Sequence, residues 1–176
     1  TAELSLHDTL LQAEHLRELG GDTPLITAAL YRLLLAIVHR VTHPGDDPES
    51  WSPLWEHGGW PCATFSDYLS RWHHRFDLFG AERPFYQQAH PRGAIKSLVS
   101  LVFELSSGNN ATLFDHSSDE RGVTLSPAQT ARALVAAQAF GLGGLSPVPG
   151  ERFTDGPAAR GITFLVQGQS LRETLL

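Results

Sequence analysis

The sequence predicts a predominantly helical α+β fold, and three observations carry that reading. Ser126-Pro127-Ala128-Gln129 is a complete helix start, with a capping hydroxyl, Pro at the first helical position and Gln three residues after the Ser. Residues 25–38 are apolar on most faces, interrupted by Thr27, Tyr31 and Arg32, as expected of a central core helix. Ile162, Phe164 and Val166 alternate between Gly161 and Gln167, which is the period of a short strand.

The other elements follow in order. Ser5, with Asp8 three residues on, caps an amphipathic helix carrying Leu6, Leu10, Ala13 and Leu16, and Gly20-Gly21 ends it. Asp22-Thr23-Pro24 opens the core helix. The run 43–48, rich in Pro, Gly and Asp, is a loop. Trp51, Leu54 and Trp55 have the spacing of a short helix, closed by Gly58-Gly59. Residues 64–78 return to helical period with Phe65, Tyr68, Leu69, Trp72 and Phe76, and Phe79 follows. Arg83-Pro84 makes its neighbourhood irregular, because a residue before Pro avoids the α region. Residues 94–105 stay open between helix and strand: Val99, Leu101 and Phe103 alternate, yet Ile95, Leu98, Val102 and Leu105 suit a helix better. The Ser126 helix runs to about Phe140, Gly141 stops it, and a Gly/Pro-rich stretch follows. Ser170 with Glu173 opens a last helix, cut short at Leu176.

A chain of 176 residues suits one domain, or one domain plus a fragment. The apolar run 33–38 is far too short to span a bilayer, and no signal segment opens the chain. One cysteine, Cys62, excludes an internal disulfide framework and a Cys-rich zinc site, which fits a reducing cytoplasm. The net charge of −6 argues against a stand-alone nucleic-acid binder. Of the 13 basic residues only Lys96 is Lys, and Arg suits phosphate and carboxylate forks. The start without Met and the end on Leu175-Leu176, inside an apolar helical pattern, lead us to expect a larger parent protein.

Two stretches look built to reach for something. Residues 107–116, SGNNATLFDH, begin as turn chemistry and then place Leu113 and Phe114 beside Asp115 and His116. At 140–144, FGLGG, three glycines in four positions bare the backbone, so that a ligand or a nucleic-acid groove can come close. Other chemistry has weaker support. His39 and His43 have the spacing of a zinc pair, but Pro44 ends the helix there and there is no HExxH. His73 and His74, being adjacent, point apart, one to the core edge and one to solvent. Asp115-His116 with Ser117 or Ser118 gives a small-hydrolase alternative, against which stands the lack of any GxSxG elbow. Gly141, Gly143 and Gly144 follow a helix, whereas phosphate loops follow a strand, so their bland reading is a helix stop and a passive connector. Trp51, Trp55, Trp60, Phe65, Tyr68, Trp72, Phe76 and Phe79 read as core or subunit-interface residues rather than as a base-stacking platform.

The motifs together resemble a known family. LSLHDTLLQAEHLRELGGDTPLITAALYRLLLAIVHRV (4–41), RFDLFGAERPFYQ (75–87), SGNNATLFDH, LSPAQTARALVAAQAFGLGG (125–144) and ARGITFLVQGQSLRETLL (159–176) stand in the order found in the large subunit of type I-E Cascade, the CasA family. The resemblance implies that residues 1–176 are the N-terminal domain portion of a larger two-domain protein, lacking its short opening strand and its C-terminal helical bundle. It implies a non-catalytic subunit, without cofactor or metal, of a cytoplasmic RNA-guided antiviral complex. Leu113, Phe114, Asp115 and His116 would anchor it to the other Cascade subunits and the CRISPR RNA. Gly141, Gly143 and Gly144 would approach the minor groove of double-stranded target DNA at the protospacer-adjacent motif, before a helicase-nuclease is recruited. A purely structural interaction module is the remaining alternative.

Overall fold

The computed structural model describes residues 2–43, 45, 47–56, 59–88, 97–105, 123–145 and 152–176. The chain divides into two compact units, one of Thr1–Asp77 with Ile162–Leu176 and the other of Leu78–Gly161.

In the first unit, α1 (Leu6–Leu11) starts where the Ser5 side chain accepts the Asp8 N–H at 3.0 Å. It ends sooner than the periodicity predicts. The carbonyls of Ala13 and Leu16 are needed elsewhere: they accept the N–H groups of Arg172 (3.0 Å) and Leu171 (2.7 Å), which open α6 (Leu171–Leu175). Two donors orphaned at the start of α6 are thereby satisfied by the turn after α1. Ser170 caps α6 by accepting the Glu173 N–H, as expected from its sequence.

The core helix α2 (Pro24–Thr42) has Thr23 as cap and Pro at its first position. Ala29, Tyr31, Leu34, Ile37 and Val38 are buried along it. By length and composition this 19-residue helix could cross a bilayer, which the shorter run 33–38 does not suggest; 33% of it is buried, and Tyr31, Leu34, Ile37 and Val38 belong to the core of this unit. Tyr31 is buried with its hydroxyl accepting the Leu19 N–H at 2.9 Å. His43 terminates α2 in the left-handed conformation, φ 46°.

After a short 3-10 turn at Pro48–Ser50 come α3 (Ser52–Glu56) and α4 (Cys62–Arg71). Helix α4 is shorter than the expected 64–78 helix and tightens into a 3-10 turn, His73–Arg75. The core of this unit joins Leu10, Tyr31, Leu34, Val38, Trp60, Phe65, Leu69, Leu171 and Leu175. Trp60 places its indole N–H 2.5 Å from the Leu10 carbonyl, so the buried ring keeps its polar handle paired. Arg172 donates from Nη2 to Leu54 O at 2.6 Å and Trp55 O at 3.2 Å, and its Nε lies 3.5 Å from Glu14 Oε1. It ties α6 to the end of α3.

The aromatic series 51–79 divides. Trp60 and Phe65 are core, as expected, whereas Trp55, Trp72 and Phe79 are exposed. His73 and His74 are both exposed, which corrects the expectation that one sits at the core edge.

In the second unit, α5 (Pro127–Phe140) carries the expected capping box: Ser126 accepts the Gln129 N–H at 3.2 Å, and the Gln129 side chain accepts the Ser126 N–H at 2.9 Å. Ala133, Val135, Ala136 and Ala139 are buried along it. A 3-10 turn, Leu98–Leu101, packs on α5 and buries Val99. The stretch 94–105, open between helix and strand in the sequence, forms this 3-10 helix and no strand in its described part.

The α+β expectation is corrected. Among the described residues the chain is helical, and strand is confined to β1 (Gly144–Leu145) paired antiparallel with β2 (Arg152–Phe153). The strand expected at 161–167 is not formed. That segment has no strand beside it among the described residues, and an alternating pattern needs a partner to become a ladder.

Candidate functional site

Helix α5 ends against the backbone that returns after β2. Gly141 closes it by donating its N–H to Ala137 O at 2.8 Å. A Cβ at Gly141 would stand 2.5 Å from that same oxygen, so only glycine fits at this helix end. The chain passes Leu142 and Gly143, enters β1, and comes back through β2. Gly156 N–H then donates to Gly141 O at 2.7 Å and Ala158 N–H to Ala139 O at 2.9 Å. Carbonyls that the end of α5 leaves orphaned are thus satisfied by the returning backbone. Gly156 makes this approach possible, since a Cβ there would lie 2.7 Å from Ala139 O.

One carboxylate fixes the loop. Gly143 N–H donates to Asp155 Oδ1 at 2.6 Å, and Arg160 Nε lies 2.6 Å from Asp155 Oδ2. The Gly143 N–H first, and the Arg160 charge after it, hold the Asp155 carboxyl below the ordinary value of 3.8. Leu142, at the tip, is 73% exposed, so the loop is not folded into the interior.

The predicted residues fall differently. Gly141 is required as glycine by the helix end. Gly143 lies in the turn beside the exposed Leu142, and Gly144 lies in β1 opposite Phe153. Leu113, Phe114, Asp115 and His116, with the hydrolase alternative built on the last two, lie outside the described residues. His39 stacks edge-on with Trp51, ring centroids 4.9 Å apart, and no group of His, Cys, Asp or Glu fit for a metal ion occurs among the described residues. Sequence reasoning missed Asp155, Gly156 and Arg160. Asp155-Gly156 is a turn signal, but nothing local ties it to Gly143, 12 residues earlier.

Fold and loop together define a class: a helical scaffold that holds out a small glycine-bearing turn and stiffens it from behind. The family model of the CRISPR-associated protein Cse1 matches residues 1–176. The CRISPR-associated protein CasA/Cse1 of Thermus thermophilus is 42% identical over 176 residues, which is 99% of this chain and 35% of that protein. The solved structure of Thermus thermophilus CasA (Cse1) is similar over 98% of this chain and 34% of its own, with TM-score 0.78 and 36% identity. A chain solved in a CRISPR RNA-guided surveillance complex, pre-nicking, is similar over 98% of this chain and 37% of its own, with TM-score 0.80 and 25% identity. The chain belongs to the Cse1 family. It spans about a third of the length of these relatives and matches their N-terminal part.

Proposed function

We propose that this chain is the N-terminal part of a non-catalytic, cytoplasmic subunit of a CRISPR RNA-guided surveillance complex. Its turn at Gly143 and Gly144 meets double-stranded target DNA at the protospacer-adjacent motif. The observation that carries the reading is the glycine-bearing turn after α5, with Leu142 exposed at its tip and the Gly143 N–H held by Asp155. Family membership and the likeness to a chain of a surveillance complex support the setting. A minor groove about 6 Å wide admits a strip of glycine backbone, and a single apolar side chain such as Leu142 can wedge between base steps. Sequence recognition is delegated to the guide RNA, so the protein has only a short motif to test.

On this reading Leu113, Phe114, Asp115 and His116 anchor the subunit to the other Cascade subunits and the CRISPR RNA, and a helicase-nuclease follows after target binding. The acidic balance of −6 fits a subunit whose neighbours and remaining two thirds make most phosphate contacts. The structural-module reading draws on Gly141, whose glycine the helix end explains.

The experiment is Gly143→Trp in the full-length protein, assembled with its RNA-bearing partners. Assembly stays intact and capture of matched duplex falls by an order of magnitude or more, roughly the effect of losing one good groove contact. Capture at the unaltered level refutes the groove-reading role.

A further inference from the structure

Arg160 has its side chain 77% exposed and is anchored at one end. Its Nε is held 2.6 Å from Asp155 Oδ2, and the other oxygen of that carboxylate accepts the Gly143 N–H at 2.6 Å. One acidic side chain therefore sets the position of a guanidinium relative to the glycine turn. Both Asp155 oxygens face donors, so the negative charge beside the loop is compensated. The far edge of the guanidinium, Nη1 and Nη2, has no hydrogen bond or ion pair among the described residues. Two parallel N–H groups on a pre-oriented edge match a phosphate, which a flexible ammonium does less well.

We propose that Arg160 is a backbone-phosphate contact for the duplex that the glycine turn meets, and that Asp155 is the positioning residue holding turn and guanidinium in one register. The inference rests on the groove reading of that turn and adds to it a charged residue and a chemical partner, the phosphodiester. A phosphate contact positions without reading bases, so the effect of Arg160 is the same whatever the motif.

The test measures affinity of the assembled, full-length protein for a labelled matched duplex across a potassium chloride series. Arg160→Gln is expected to weaken binding and to flatten the plot of log affinity against log salt by about 0.9, the value for one phosphate. Arg160→Lys keeps the slope, because the charge remains. Asp155→Asn weakens binding with the slope kept, because the charge of Arg160 remains while its orientation is lost. Gly143→Trp, run alongside, separates the two ideas. If it abolishes binding while Arg160→Gln changes neither affinity nor slope, the phosphate contact is wrong and the groove reading stands. If neither variant changes binding, both are wrong. If Arg160→Lys loses as much as Arg160→Gln, the side chain only shapes the loop and the proposal fails. If Asp155→Asn binds as well as the unaltered protein, Asp155 has no positioning role.

Discussion

Gly143 gives its N–H to Asp155, so that donor is already used and is not offered to a visitor. That distinguishes it from Gly141, whose missing Cβ is required by Ala137 O. The three glycines of the predicted site thus divide by physical cause, which the FGLGG string cannot reveal. The Asp155 contact has a consequence in acid. A carboxyl held below its ordinary value stabilises the fold fully above the ordinary aspartate range, and the stabilisation drains as pH falls through the lower folded value. We expect the Gly143 amide resonance to titrate with a midpoint below 3.8 and to lose that transition in Asp155→Asn. A midpoint at or above 3.8 contradicts the clamp. Asp155-Gly156 was readable as a turn; its partner was not, because a contact between loop residues 12 apart leaves no periodic trace.

At the scale of the element, local chemistry was legible wherever a side chain caps its own helix. Ser5, Thr23, Ser126 and Ser170 all stand where the sequence places them, each accepting from the backbone of the first turn. For α5 the Ser126 and Gln129 reciprocity satisfies two backbone donors, so Ser126→Ala should cost about 1 kcal/mol in chemical denaturation. A loss under a few tenths of a kcal/mol would mean the box is made but contributes nothing. Helix ends set by distant partners were not legible. Helix α1 stops at Leu11 because Ala13 and Leu16 lend their carbonyls to α6, more than a hundred residues away. The periodicity of 161–167 was real but insufficient, since a strand is defined by its neighbour as much as by its own pattern.

For the whole molecule, that same segment is informative. Ile162, Phe164 and Val166 are 82, 85 and 84% exposed, in a chain that spans about a third of its relatives' length. Apolar groups already in water contribute nothing to this fold, so Phe164→Ser in the 176-residue chain should change stability by no more than about 0.5 kcal/mol. A loss of about 2 kcal/mol or more would mean the ring is buried after all. The resemblance seen in five ordered motifs extends to the fold over 98% of the chain. What it implies for function depends on the loop at α5. The most direct measurement places a photocrosslinking amino acid at Leu142, the exposed tip, in the full-length protein assembled with its guide RNA and partners. Irradiation with matched duplex is expected to link the tip to nucleotides flanking the guide-paired segment. Crosslinks to protein alone, or none with DNA bound, would contradict the account.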